Sequence, residues 1–410
     1  MGNLSGEFAN IVDSQVTDHL SLEEICAGCL EKGLACAVYQ LPKSGTKHLI
    51  IDLSSGGKID RLDLDEIGEG FIFHPFSKED HPAAFINKDI HIVENETSRK
   101  PEILYSRLGA QDLKEFPGVG KRPGANKDAP VHGRISIKSS TESQKDSFIS
   151  LVDRTILEIE KESFQKAVIA RIKDIDLPDR FNPFDLFHAL SDRYRNAFVY
   201  FTYIPGIGSW IGATPEPLIR IDRARKFKTV ALAATQAKQP DQDPEDTTWS
   251  QKDIEEQAMV SRYIINCFKK IRLREFEEIG PKTYLSGNLV HLRTEYRVDM
   301  DQVGFPQLGT VMLELLHPTS AVCGMPKEPS MKFIEIHEDF DREYFSGFLG
   351  PVNIREETDI FVNLRCMKIA PGKARLYAGA GIISNSTPEK EWNETEIKME
   401  TILRVLKALR

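Results

Sequence analysis

The sequence predicts an α+β fold. Three observations carry that expectation. Strand-like and helix-like segments follow one another irregularly instead of alternating as βαβ units, which argues against a doubly wound parallel sheet. Two long amphipathic helices are expected, over Asp253–Leu273 and Glu389–Leu409, the second starting after Pro388. The 410 residues, 40% of them hydrophobic, suffice for a large buried core in one or two domains.

Taken in order, Met1–Asp18 has neither a basic n-region nor an apolar stretch, so no secretory signal is expected. Leu22–Leu34 reads as an amphipathic helix. It carries Cys26 and Cys29, with Cys36 nearby. No second ligand pair follows this CxxC, so the thiols read as small core hydrophobes, not as a zinc or redox site. His48–Leu53 and Gly70–Phe73 alternate as strands. Phe116–Asp128 is rich in Gly, Pro and basic residues and reads as a loop. Its Gly-Val-Gly-Lys lacks phosphate-loop spacing. Ser139–Glu162 reads as a helix, Lys166–Ile175 and Thr229–Ala233 as strands, and Gln239–Thr247 as an acidic loop. No run reaches the length of a membrane span. A reduced, cytoplasmic setting is expected, with no membrane partner. The formal net charge is −9 and no basic tract stands out, so nucleic acid is not an expected partner. An acidic chain that binds an anion needs local cations or a metal.

Several residues stand out chemically. Glu256 shares a face with Asp253 and opens a stripe continued by Val260, Ile264 and Cys267. Glu391, Glu394 and Lys398 head a second stripe running through Ile402 and Val405. Carboxylates on an inward stripe must be paired or hold a cation, and two such helices can supply oxygen ligands to one Mg²⁺. The competing reading is a pair of solvated helix faces. Lys166 begins a strand and shares its face with Val168, Ala170 and Ile172. A lysine on an apolar face is a potential general base; the alternative is a frayed strand end with its ammonium in water. Glu216, in Gly212-Ala-Thr-Pro-Glu216-Pro217, is held in a Pro-fixed turn and serves as a general acid if burial raises its pKa. Gly379 and Gly381 interrupt an apolar strand, as where a ligand or backbone approaches closely.

In order along the chain, ten blocks resemble the chorismate-utilising enzyme family. They are Lys166-Ala-Val-Ile-Ala-Arg171, Gly212-Ala-Thr-Pro-Glu216, Ala231-Leu-Ala-Ala-Thr235, Lys252-Asp-Ile-Glu-Glu256, His291-Leu292, His317-Pro-Thr-Ser-Ala-Val-Cys-Gly324, Arg342-Glu-Tyr344 with Gly347 and Gly350, Leu364-Arg365-Cys366, Tyr377-Ala-Gly-Ala-Gly381, and Pro388-Glu-Lys-Glu-Trp-Asn-Glu-Thr395. The resemblance implies the fold of anthranilate and aminodeoxychorismate synthases: two packed, mainly antiparallel sheets covered by helices, with the active site in the cleft between them. It implies one structural unit, with residues 1–140 completing the sheets and 145–410 forming the catalytic region.

By this resemblance Glu256 and Glu394 match Mg²⁺ ligands, and Asp253 and Glu391 hold metal-bound water. Tyr344 and Arg365 match residues gripping the enolpyruvyl carboxylate. Thr235, His291, Gly379, Gly381 and Lys398 line the pocket. Lys166 is the residue that separates subfamilies. Isochorismate and salicylate synthases use Lys there to deprotonate water, aminodeoxychorismate synthases use it as a nucleophile, and anthranilate synthases usually carry Gln. The implied activity is Mg²⁺-dependent conversion of chorismate to isochorismate, Glu216 protonating the departing 4-hydroxyl. Menaquinone and siderophore biosynthesis are the implied settings, and a monomer the implied state. Salicylate synthase, aminodeoxychorismate synthase and a non-catalytic chorismate-binding protein are the alternatives. The chain departs from the family at Ala234, where Gly is usual, at Gln257, where His is common, and at Pro217.

Overall fold

The computed structural model describes residues 21–409 except 55, 98–99, 110–111, 114–115, 117–141, 178–180, 238–242, 244–245 and 287–288. The side chains of residues 235, 252, 286 and 289 are likewise outside the description. The expected N-terminal segment, the 116–128 loop beyond Phe116 and most of the 239–247 loop therefore lie outside the described residues.

Helix α1 (Leu22–Lys32) is followed by strands β1 (Ala35–Gln40), β2 (Thr46–Asp52), β3 (Gly57–Ile59), β4 (Gly70–His74), β5 (Ala83–Asn87), β6 (Ile90–Asn95) and β7 (Pro101–Ser106). Next come α2 (Glu142–Glu160), β8 (Lys166–Asp176), α3 (Pro183–Arg193), β9 (Phe198–Ile204), β10 (Gly208–Thr214), β11 (Pro217–Ile221) and β12 (Lys226–Ala237). The chain continues through α4 (Gln251–Lys270), β13 (Glu277–Ser286), β14 (Leu289–Asp299), α5 (Leu308–Leu316), β15 (Gly324–Met325) and α6 (Lys327–His337). It ends with β16 (Phe348–Val352), β17 (Thr358–Val362), β18 (Cys366–Ala370), β19 (Lys373–Ile382) and α7 (Pro388–Ala408).

The strands form two antiparallel sheets. The first runs β15-β8-β19-β18-β10-β9-β1-β2-β6-β7 and the second β13-β14-β12-β11-β17-β16-β4-β5-β3. Strands of the N-terminal segment thus lie in both. The sheets face each other across an aromatic layer, with Phe198 stacked on Phe361 at 4.3 Å and Phe73 on Tyr344 at 4.4 Å.

Period-two geometry explains why so many strands are apolar on both faces. In β1, Ala37 and Tyr39 point into the aromatic layer, while Cys36 and Val38 point outward into a second core under α1, α3 and α7. The second sheet is covered on its outer face by α4 and α5 through Val260, Ile264, Cys267 and Leu313. The stripe read from Glu256 is therefore the one that packs. All six cysteines are free and buried.

Helix starts are fixed locally. Ser21 and Glu24 form a capping box on α1, and Ser250 and Asp253 form another on α4. Arg171 on β8 docks α7: its Nε donates to Thr395 Oγ1 at 2.6 Å and its guanidinium lies 3.7 Å over the Trp392 ring. Gln257 docks α4 on the second sheet, its Nε2 donating to Thr294 Oγ1 at 2.9 Å and Ala231 O at 3.2 Å. The position where the family commonly has His is thus a buried anchor beside Glu256. These two anchors set where Glu394 and Glu256 project.

Candidate active site

The chain passes between the sheets twice near one point. The β10–β11 crossing carries Glu216 and the β17–β18 crossing carries Arg365. The two crossings are bonded to each other. Ala213 N donates to Arg365 O at 3.1 Å, and Val362 N donates to Glu216 O at 2.9 Å. Arg365 takes a left-handed backbone, φ 50°. Such conformations in non-glycine residues concentrate at functional sites.

Lys166, at the start of β8, is only 5% exposed. Its Nζ stands 3.3 Å from Glu256 Oε1. The frayed-end reading is therefore replaced by a buried lysine paired with a carboxylate from α4. Gly381 lies alongside on β19, where a Cβ would come within 2.8 Å of Lys166 Cε. Gly379 presents its carbonyl to Lys398 Nζ at 2.7 Å, and the same ammonium contacts Glu394 Oε1 at 2.6 Å.

The electrostatics join these groups into one cluster. Desolvation raises the Glu216 carboxyl to about 7; Lys398, Arg365 and Lys166 oppose the rise and Glu256 adds to it. The side chain is part-exposed in area but ringed by protein atoms, and the ring governs its proton. Glu394 is held below the usual carboxylate range. Burial pushes it up, but Lys398, Arg365 and Lys166 prevail. Burial lowers Arg365 to about 10, against the pull of Glu394 and Glu216. Lys166, Glu216, Glu256, Arg365, Glu394 and Lys398 therefore share one neighbourhood, although they come from both sheets and two helices.

The remaining expected residues divide. His291 is buried, bonded to the Ala234 backbone and within the field of Arg365; desolvation lowers its pKa. Thr235 pairs with His291 in register across β12 and β14, and its side chain lies outside the described residues. Between Ala233 and Thr235 the register shifts by a bulge, and Ala234, the bulged residue, has φ 55°. That left-handed backbone gives a physical reason for glycine at this position.

Among the described residues no hydrogen bond joins the Tyr344 side chain to the cluster. Its hydroxyl donates to Pro82 O at 2.8 Å within the aromatic layer, so the structure gives it a packing role. Asp253 Oδ2 accepts from Ser250 N (3.0 Å), Ser250 Oγ (2.7 Å) and Gln236 Nε2 (3.1 Å), which makes it the cap of α4. Glu391 is buried in the first turn of α7, where the helix dipole favours an anion.

Two glutamates on separate helices, Glu256 and Glu394, meet around Lys166. Among the described residues no group of three or more His, Cys, Asp or Glu side chains forms a metal cage. An oxygen-only pair of carboxylates fits Mg²⁺, which typically takes one or two protein carboxylates and completes its shell with water and substrate oxygens. A separate cavity of about 490 Å³, lined by residues including Tyr39, His48, Arg223, Arg355 and Asp359, contains none of the cluster. The Lys166–Glu256 pair and the charged groups around it lie elsewhere.

Residues 101–407 match the family model described as chorismate binding enzyme. The chain belongs to the chorismate-binding enzyme family. It is 29% identical over 264 residues to the isochorismate synthase MenF of Escherichia coli, covering 63% of this chain and 59% of that protein. It is 26% identical over 312 residues to the isochorismate synthase EntC of Escherichia coli, covering 75% and 78%. The solved structure of the menaquinone-specific isochorismate synthase of Escherichia coli superposes with a TM-score of 0.70 at 23% identity, covering 93% of this chain and 91% of that one, and shows the same α+β fold.

Proposed function

We propose that this protein is a Mg²⁺-dependent isochorismate synthase. The observation that carries the proposal is Glu216, with a pKa of about 7, held in the same charged cluster as the buried Lys166. In the proposed reaction Lys166, as the amine, accepts a proton from water as that water bonds to ring position 2 of chorismate. The ring double bonds shift. Glu216, protonated, donates to the 4-hydroxyl, which leaves as water. Glu216, raised to about 7, is the acid of this pair and Lys166 its base.

Arg365 and Lys398 supply the positive charge that receives the substrate's carboxylates, Arg365 by a bidentate grip. The backbone at Gly379 and Gly381 allows close approach. Glu256 and Glu394 would hold the Mg²⁺, which when bound neutralises substrate carboxylate charge and orients it. The names of the relatives support the assignment, as does the oxygen-only donor pair. The six buried free thiols support a reducing, cytoplasmic setting.

The test is incubation with chorismate and Mg²⁺ followed by product identification. Isochorismate as the sole product supports the reading. Rapid salicylate fluorescence without a partner lyase makes it a salicylate synthase, and an aminated product in the presence of ammonia makes it an aminodeoxychorismate synthase. No turnover overturns it.

A further inference from the structure

Strand β8, which carries Lys166, is nearly an edge strand. One side pairs with β19 from Ala167 to Asp176. The other meets only the two-residue β15, through pairs with Lys166 and Ala167. Gln165 N donates to Met325 O and Val168 N to Cys323 O, each at 2.7 Å. Among the described residues no strand continues past that point, yet the next backbone groups on this side are not left to water.

Side chains take the place of the missing strand. Ser330 Oγ, on α6, lies 2.9 Å from Lys166 O and 2.8 Å from Pro326 O, so its one proton is shared between two carbonyls. Arg342 Nη2 donates to Val168 O at 2.7 Å. Ala170 N donates to Glu338 Oε1 at 2.7 Å. Glu338 and Arg342 are also paired with each other, both side chains 3% exposed, with Arg342 Nε 2.7 Å from Glu338 Oε2. Arg342 Nη1 donates to Val322 O at 2.9 Å, and its guanidinium lies 4.4 Å over the Phe76 ring. The pair touches none of the six charged side chains of the cluster through any of these bonds.

A buried ion pair is a poor device for stability alone, because the desolvation of two charges offsets their attraction. Its recognised use is to fix one arrangement against alternatives. The alternative here is specific. A one-residue slip of an edge strand turns every side chain to the opposite face. Lys166 would then leave Glu256 and the space beside Gly381. Past the end of β15 the Val168 and Ala170 backbones are held by side chains at alternate residues, as a partner strand would hold them, and Ser330 adds a contact at Lys166, where β15 still pairs.

We propose that Ser330 and the buried Glu338–Arg342 pair act as a side-chain substitute for a strand and are positioning residues that set the register of Lys166 in the cleft. The inference rests on the reading of Lys166 as the base.

Arg342→Lys keeps the charge but loses the planar fork that serves Val168, Val322 and Glu338 together. Hydrogen–deuterium exchange of the 166–172 segment should accelerate about tenfold or more, as for a locally opened edge. Below the unfolding temperature, kcat should fall about 10- to 100-fold, since displacement of a catalytic group by about 1 Å costs that much. KM for chorismate should stay within about threefold, the pattern of a lost transition-state interaction rather than lost binding. Glu338→Gln, which keeps an acceptor for Ala170 N, should retain more kcat than Glu338→Ala. If either charged-site variant fails to fold, Ser330→Ala removes a single hydroxyl and carries the same pair of readouts with a smaller effect. Unchanged exchange at 166–172, or faster exchange with wild-type kcat, overturns the inference. A wild-type protein that leaves chorismate intact overturns the underlying reading instead, and is seen before any variant is made.

Discussion

Gly381 leaves the room that Lys166 fills: a Cβ at Gly381 would stand 2.8 Å from Lys166 Cε and 3.3 Å from its Nζ. The two residues lie on adjacent strands, one supplying the amine and the other the space for it. Gly381→Ala should therefore act on the reaction more than on the fold, because the atom it meets is the far end of a flexible side chain. Steady-state kinetics should show kcat reduced about 10- to 100-fold, with little change in the melting temperature. Lys166→Ala should lower kcat by about 10²- to 10⁴-fold; unchanged turnover would remove Lys166 from the mechanism.

Glu216 makes the pH dependence explicit. As an acid it must carry its proton, so the rate should decline as pH rises through about 7. Glu216→Gln should cost about 10²-fold or more in kcat, and its residual rate should lose that limb.

The same carboxyl bears on stability. Its pKa is raised in the folded state from an ordinary 4.5, so its contribution is fully present below about 4.5 and is lost as pH rises through about 7. Relative to wild type, Glu216→Gln should thus gain melting temperature between pH 5 and pH 8, roughly the window the two pKa values define. A parallel offset at every pH would contradict the assignment.

Ala234 holds a left-handed backbone, φ 55°, at the bulge beside Thr235. An L-residue there costs roughly 1–2 kcal/mol that glycine avoids, less the greater entropy glycine loses on folding. Ala234→Gly should leave the protein as stable or up to about 1 kcal/mol more so, measured by denaturant unfolding.

Chelation should abolish turnover and added Mg²⁺ restore it. Glu256→Gln and Glu394→Gln should each weaken Mg²⁺ binding, read directly by calorimetry, because each would remove one of the two carboxylates proposed to hold the ion. Full activity in excess EDTA would rule out the metal.

Much of this architecture was legible in the sequence, and the gaps have physical causes. The stripe from Glu256 through Cys267 obeys a 3.6-residue period, so helix and buried face followed directly. Lys166 and Glu216 stood out because charge on an apolar face or in a rigid turn is locally unusual. Their proximity depends on strand order, which no local pattern encodes. The same limit applies to Tyr344: a tyrosine's spacing does not reveal that Pro82, far earlier in the chain, takes its hydroxyl. Asp253 lies three residues after Ser250, a capping-box spacing visible in the sequence. Glu338 and Arg342, four apart, look like an ordinary helical ion pair. Only the shortness of β15 beside β8 shows which backbone groups they meet.

The paired crossings at Glu216 and Arg365 have a mechanical consequence. Each is tethered to its neighbour's crossing by a main-chain bond at the seam where the layers join, so Glu216 and Arg365 belong to one backbone-linked block. A tilt of one sheet against the other, of the kind that trimming Phe198 or Phe361 would permit, moves acid and grip in concert. Repacking the interior should thus shift both together, while changes on the outer helices act through Glu256, Glu394 and Lys398.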